Sequence, residues 1–196
     1  MKHQPWRPIL VFCIAGFLLS SCAQKDSHHS IVISVPDQKL IIYTDSHPLA
    51  EYPVSTSKYG VGDHPGSYAT PLGNLEVEKK FGDNIPAGGV LKSRRFTGET
   101  LAPDAPGRDP IVTRILWLRG LEFSNSNAYG RCIYIHGTPE ESNIGKPASF
   151  GCIRMRSQDI INLYNVVGVG TKVRIINTPF EFPPDAQQQS ENQWGG

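Results

Sequence analysis

The apolar residues of this chain come in short β-branched runs cut apart by proline, glycine and aspartate, and this limits the fold more than any other feature. "IVISV" (31–35) and "KLIIY" (39–43) flank Pro36-Asp37-Gln38, the layout of a hairpin. "EYPVST" (51–56) reads as a third strand, with Pro53 favouring an edge because proline donates nothing to a ladder. "NLEVEKK" (74–80), "IVTRILWL" (111–118), "RCIYIHG" (131–137) and "TKVRIIN" (171–177) supply further strands. Only one stretch has a helical period: Ile160, Leu163, Tyr164 and Val167 share a face. Ser157 can cap that helix, Asp159 suits its first turn, and Gly168 can end it. Residues 81–110 carry five glycines and four prolines and read as a long loop, a length that often borders a site. The glycines of "SKYGVGDHPGS" (57–67) are not followed by a helix pattern, so they permit tight turns and do not cradle a phosphate. The fold class is therefore mainly β, a sandwich-like or barrel-like domain over residues 31–178, with one or two short helices.

The ends differ from the body. A basic start, an apolar stretch from Ile9 to Leu19 and then small residues have the layout of a secretory signal, shorter than the roughly 20 apolar residues of a bilayer span. Leu19-Ser20-Ser21-Cys22 resembles a bacterial lipobox. It implies removal of residues 1–21, lipidation of Cys22 and stable membrane anchoring by several acyl chains. Ala23 and Gln24, with no aspartate directly after the cysteine, resemble the pattern sent to the outer membrane, which places the protein in the periplasmic envelope. Residues 22–30 then form a polar tether, and 179–196 a polar, disordered tail. Net charge is +1 with Lys2 and Arg7 in the leader, so the body is close to neutral and builds no case for nucleic acid. Lys92-Ser93-Arg94-Arg95 reads as a solvated loop, or as an attractor of an anionic polymer.

Two cysteines remain in the body, Cys132 and Cys152, and an oxidising compartment allows a disulfide between them. As a free thiol, Cys152 is the candidate nucleophile. In a strand Cys132, Tyr134 and His136 would point one way and Ile133 and Ile135 the other, which leaves His136 emerging at the strand end. A neighbouring imidazole can take the thiol proton and give a thiolate–imidazolium pair. Phe150-Gly151-Cys152 can form a turn whose N–H groups converge on an oxyanion, each donor contributing on the order of 3 kcal/mol.

With these residues in view, "IHGT" (135–138) and "GKPASFGCIRM" (145–155) resemble the signature of the L,D-transpeptidase family, the YkuD-type catalytic domain. "DQKLIIY" (37–43), "YPVSTS" (52–57), "ATPLGNLEV" (69–77) and "VGVGTKVRI" (167–175) resemble its remaining segments in the same order. The resemblance implies a cofactor-free enzyme acting on peptidoglycan stem peptides. Cys152 would attack the carbonyl on the L-configured side of the penultimate bond of a tetrapeptide stem and expel D-alanine. His136 would be base and then acid, with the Gly137 carbonyl or a neighbour orienting its ring. Ser149, Gly151 and Arg154 match further motif positions. Arg154 would pair with a stem carboxylate or brace the loop through carbonyls. Phe150 stands where the family usually has histidine.

Three alternatives remain at this level. The acyl-enzyme can be resolved by water or by another protein's amine. The domain can be a wall-binding module that has lost catalysis, which would form no adduct with the carbapenems that acylate the family's thiol. Cys132, His136 and Cys152, with His47 or His64, also offer zinc ligand types, although the short paired spacings of structural zinc are missing.

Overall fold

In the computed structural model, residues 25–181 are described. The signal segment 1–21, Cys22 and most of the polar tail lie outside the described residues. The hairpin at Pro36-Asp37-Gln38 pairs β1 (His29–Ser34) with β2 (Lys39–Thr44), Ile31 opposite Ile42 and Ile33 opposite Leu40. β3 (His47–Pro53) joins β2 as an edge strand, where the missing N–H of Pro53 costs no ladder bond. Next come β4 (Gly73–Phe81), β5 (Gly89–Lys92), β6 (Arg95–Thr100) and β7 (Val112–Gly120). They are followed by β8 (Tyr134–Gly137), β9 (Ile153–Met155), the helix α1 (Ser157–Val166) and β10 (Lys172–Ile176). The main path of the open sheet runs β3-β2-β1-β10-β4-β7-β5-β6, and β8 branches from β7 to carry β9. The closing strand β10 lies parallel to β1 and antiparallel to β4, which ties the two ends of the domain together.

The mainly β class holds, with one α-helix and two short 3-10 turns, Phe123–Asn125 and Glu141–Asn143, among the described residues. The stretch 81–110 is not a plain loop. It holds the β5–β6 hairpin, turned by Ser93 and Arg94 in left-handed conformation. Weak apolar periodicity hid it, since every residue of β6 is exposed.

Side-chain alternation divides the interior. Leu116, Leu118, Ile133, Ile135, Ile153 and Met155 join Ile31, Ile33, Leu40 and Leu75 in the main core, and α1 closes it with Ile160, Leu163, Tyr164 and Val167. The opposite face of β7 and β8 carries a smaller cluster of Leu91, Ile115 and Tyr134, packed against Trp117, Phe81, Cys132 and Cys152. The nucleophile candidate therefore sits on the far side of β8 from the main core.

Both ends of α1 are held by charge from elsewhere. Ser157 is the first helical residue and not the cap. Its N–H donates to Glu141 Oε1 at 2.8 Å, and its hydroxyl accepts from Thr113, so a distant carboxylate does the capping. At the other end Lys80 Nζ donates to the carbonyls of Tyr164 (2.7 Å) and Val167 (2.6 Å) and lies over the Tyr164 ring. Burial lowers the pKa of that ammonium.

The segment read as a tether is, from Lys25 on, part of the domain. The Asp26 N–H donates to Val169 O, and its carboxylate accepts from Gly168 N–H and Thr171 Oγ1, both at 2.7 Å. Burial would raise this carboxyl, but the hydrogen bonds from Thr171, Gly168 and His29 outweigh it and hold the group well below the usual carboxylate range.

Lys80→Met should lower stability by about 1–2 kcal/mol, because it uncovers two helix-terminal carbonyls. Urea unfolding at neutral pH checks this, and a midpoint unchanged from wild type would show that the helix end does not depend on Lys80.

Candidate active site

β8 and β9 run parallel, with Ile135 opposite Ile153 and His136 opposite Arg154. This register sets Cys152, just ahead of β9, beside Tyr134, and the Tyr134 N–H donates to Cys152 Sγ at 3.4 Å. Tyr134 and His136 share a face of β8, so the sulfur and the imidazole lie on the same side of the sheet, one ladder step apart. His136 is 5% exposed, and its Nδ1 meets the Gly137 carbonyl at 2.8 Å. A donating Nδ1–H leaves Nε2 to accept a proton. Gly137 has no room for a side chain, since a Cβ there would stand 2.7 Å from the Val112 carbonyl.

The turn before the sulfur is held from inside. Ser149 Oγ donates to the Cys152 carbonyl at 2.5 Å and accepts from the Gly151 N–H at 3.2 Å. Thr70 Oγ1 donates to the Gly151 carbonyl at 3.1 Å. Gly151 has φ +116°, a conformation that disfavours any side chain, and a Cβ would press on the Ala69 carbonyl and Ile133. The converging N–H groups expected of this turn are therefore only partly available. The Gly151 N–H is spent on Ser149, whereas the Cys152 N–H has no acceptor among the described residues.

Arg154, opposite His136, is engaged within the fold. Its guanidinium pairs with Asp109, lies 3.6 Å from Glu140 and donates to Ala148 O at 3.4 Å. Asp109 also accepts from Thr138 Oγ1 at 2.6 Å. Arg154 thus braces the segment around His136.

Cys152 is half-buried and lines a cleft of about 160 Å³ with Gly66, Tyr68, Arg131, Ile133 and Phe150. A larger hollow of about 340 Å³ lies between Val61, Leu72 and Glu122, with neither Cys152 nor His136 in its lining. The outer wall of the cleft is pinned by a buried pair. Arg131 binds Asp63 Oδ1 (2.7 Å), Gly62 O (3.1 Å) and Ala69 O (2.7 Å), and Asp63 Oδ2 accepts the Asn127 N–H. On the inner side Arg94, in the β5–β6 turn, donates to Tyr134 Oη at 3.3 Å and lies over Trp117. The basic run 92–95 is therefore a hairpin turn with one arginine directed inward, and not simply a solvated loop.

Cys132 precedes β8 in a left-handed turn (φ +58°), so strand alternation does not apply to it. Its carbonyl accepts the Cys152 thiol at 3.4 Å, and both thiols are free, so the disulfide is not formed. Among the described residues no three His, Cys, Asp or Glu side chains are grouped to hold a metal; Cys132, His136 and Cys152 with His47 or His64 do not assemble one.

Residues 28–175 match the YkuD family, the L,D-transpeptidase catalytic domain. The chain belongs to this L,D-transpeptidase family. Among its relatives, the probable L,D-transpeptidase ErfK/SrfK of Salmonella typhimurium is 45% identical over 168 residues, covering 82% of this chain and 49% of the relative. The probable L,D-transpeptidase YcfS of Escherichia coli is 32% identical over 155 residues, 77% of this chain and 45% of its own. The putative L,D-transpeptidase YqjB of Bacillus subtilis is 40% identical, covering 78% of this chain and 73% of its own. The chain thus spans about half the length of its enterobacterial relatives. In fold it is similar to an L,D-transpeptidase from Mycobacterium smegmatis (TM-score 0.50, 19% identity, 76% of this chain and 58% of that one).

In this L,D-transpeptidase domain the resting pair is neutral, not the thiolate–imidazolium pair. Burial pushes the Cys152 thiol up to about 11, against the pull of the Tyr134 N–H and the Arg154 charge. Burial, with Arg154 adding to it, lowers His136 to about 4 despite the Gly137 hydrogen bond. Sequence spacing showed Cys152 and His136 but not Asp63, Asp109, Arg131 or Glu140, whose partners lie far along the chain.

NMR titration of the His136 imidazole should give a midpoint near 4. Between this value and the ordinary 6.5 the unfolded chain binds a proton that the folded chain does not. The His136 contribution to stability is therefore complete above about pH 6.5 and is lost as pH falls toward 4, a loss absent in His136→Gln. A midpoint at the solvated value would mean that the ring is not enclosed.

Proposed function

We propose that this protein is a cysteine acyltransferase that cross-links peptidoglycan stems in the bacterial envelope, anchored through lipid on Cys22. The observation that carries the reading is the half-buried Cys152 bordering an open cleft, on the same sheet face as an imidazole whose Nδ1 is fixed by a carbonyl.

The chemistry follows from the neutral resting state. A stem carbonyl enters the cleft, and Cys152 Sγ attacks it as the thiol proton passes to His136 Nε2. A neutral imidazole is already in the basic form, so no prior deprotonation is needed. The S–C bond forms, and the oxyanion takes the Cys152 N–H. Collapse breaks the C–N bond to D-alanine, whose amine receives the proton from His136, leaving a thioester. An acceptor amine then attacks the thioester, gives its proton to His136, and the S–C bond breaks. The sulfur regains its proton from the imidazolium. Gly151 and Ser149 keep the turn in shape, Gly137 orients the base, and Arg154 acts through that scaffold as a positioning residue. Phe150, half exposed at the mouth of the cleft, leaves His136 as the imidazole of the site. No step calls for a cofactor.

Incubation of the purified protein with tetrapeptide muropeptides, followed by mass spectrometry, should show loss of D-alanine and formation of dimers. Cys152→Ala should abolish both, a loss of at least 10³-fold in rate. Identical products from wild type and Cys152→Ala would remove the assignment, and loss of D-alanine without dimers would make the enzyme a hydrolase.

A further inference from the structure

Three aromatic side chains stand together at the mouth of the cleft, and the chemistry at Cys152 does not use them. Tyr59, Tyr68 and Phe150 are each more than half exposed. Their rings touch one another, with centroids 5.6–6.0 Å apart and planes tilted by 42° to 85°. Exposed apolar surface gathered in this way marks a binding site more often than three scattered rings would. Lys58 Nζ lies 4.4 Å from the Phe150 ring centre and 5.3 Å from that of Tyr59, and its ammonium has no carboxylate partner among the described residues.

The cluster is built in advance of any ligand. Tyr68 is held at φ +56°, a conformation that costs a non-glycine residue on the order of 1 kcal/mol or more. Ser57 Oγ holds it there by donating to the Tyr68 carbonyl at 2.5 Å while accepting the Tyr59 N–H at 2.9 Å. The buried Asp63–Arg131 pair fixes the same loop from the other end.

Size and distance narrow the ligand. A cleft of about 160 Å³ is well below the roughly 300–1,000 Å³ of a site enclosing a drug-sized molecule, so it takes only the reacting end of a stem. The rest must lie across the rim. Tyr68 and Phe150 line the cleft together with Cys152, and the Tyr59 ring lies 5.6 Å beyond that of Phe150, centre to centre. The far part of the cluster thus lies a full ring outside the cleft wall. Three extended residues, from the attacked carbonyl back to the stem's N-terminus, span about 10 Å. What is attached at that N-terminus is a sugar of the glycan. A pyranose has C–H faces that cover aromatic rings and an edge of hydroxyl and amide groups. Exposed, mutually tilted rings suit the former, and a lysine with no carboxylate partner among the described residues suits the latter. A wholly hydrocarbon occupant would bury that ammonium unpaired.

We propose that Lys58, Tyr59, Tyr68 and Phe150 form a saccharide-binding platform that holds the sugar at the root of the stem whose carbonyl reacts at Cys152. This rests on the acyl-transfer reading above and specifies its substrate: stems still joined to glycan, in preference to free peptides.

Two measurements test it. In the first, Cys152→Ala protein is titrated with tetra-N-acetylchitotetraose and followed by saturation-transfer NMR. Signal is expected on the sugar C–H groups, lost when Tyr59→Ala is added and kept with Tyr59→Phe. In the second, kcat/KM is measured for a disaccharide-linked tetrapeptide and for the same tetrapeptide without sugar. The ratio of the two should fall about five- to tenfold in Tyr59→Ala and Lys58→Met, the effect of losing one good contact of about 1–1.4 kcal/mol. Circular dichroism confirms the fold of each variant, since both positions are exposed. An unchanged ratio in active variants overturns the platform while leaving acyl transfer standing. If wild type turns over neither substrate, acyl transfer fails, and the titration alone decides the platform: no sugar signal, or a signal indifferent to Tyr59→Ala, overturns it.

Discussion

The parallel pairing of β9 with β8 is the contact on which the site depends. It fixes which residue of the glycine-cysteine turn stands beside which residue of the histidine strand. A slip of one residue would turn Ile153 toward the cleft and bury Cys152 against the main core, because strand side chains alternate. The register is secured by what each alternative would expose. Ile135, Ile153 and Met155 are fully buried on one face, and moving them out would forfeit about 1.5–3 kcal/mol apiece. The hydrophobic core thus positions the proposed catalytic pair, Cys152 and His136, without touching it chemically.

The same enclosure sets the protonation state. Sulfur and imidazole on the less populated face are shielded enough that neither holds charge at rest. Arg154 lies close but is neutralised by Asp109 and Glu140, so it steadies the strand pair more than it supplies field to the sulfur. A neutral resting pair leaves the thiol less reactive toward adventitious electrophiles, since only the thiolate attacks.

Outside the pair, the molecule invests in holding loops still. Asp63–Arg131 pins the outer wall, Lys80 and Glu141 hold the two ends of α1, and Asp26 fastens the N-terminal approach to the turn before β10. Each joins segments far apart in sequence: 63 with 131, 80 with 167, 141 with 157, 26 with 168. None has a local signature. Ser157 illustrates the gap. It is a good capping residue placed just before a helical period, yet the carboxylate of Glu141 takes the capping position's task. The hairpin inside 81–110 was equally hidden, because an exposed strand carries no apolar alternation to read.

What the sequence determined by itself was local and periodic: β-branched runs that can only be strands, one amphipathic helix, a glycine before a cysteine that allows a left-handed turn, and a histidine closing a strand. These follow from backbone sterics and side-chain alternation, which act over a few residues. What only the tertiary structure decided was long-range: that the thiol and imidazole rest neutral, that the Gly151 N–H is already engaged, that Arg154 is taken by Asp109, and that Tyr59, Tyr68 and Phe150 meet around Lys58. Desolvation and pairing depend on which surfaces are brought together, and that is set by the packing of the whole sheet.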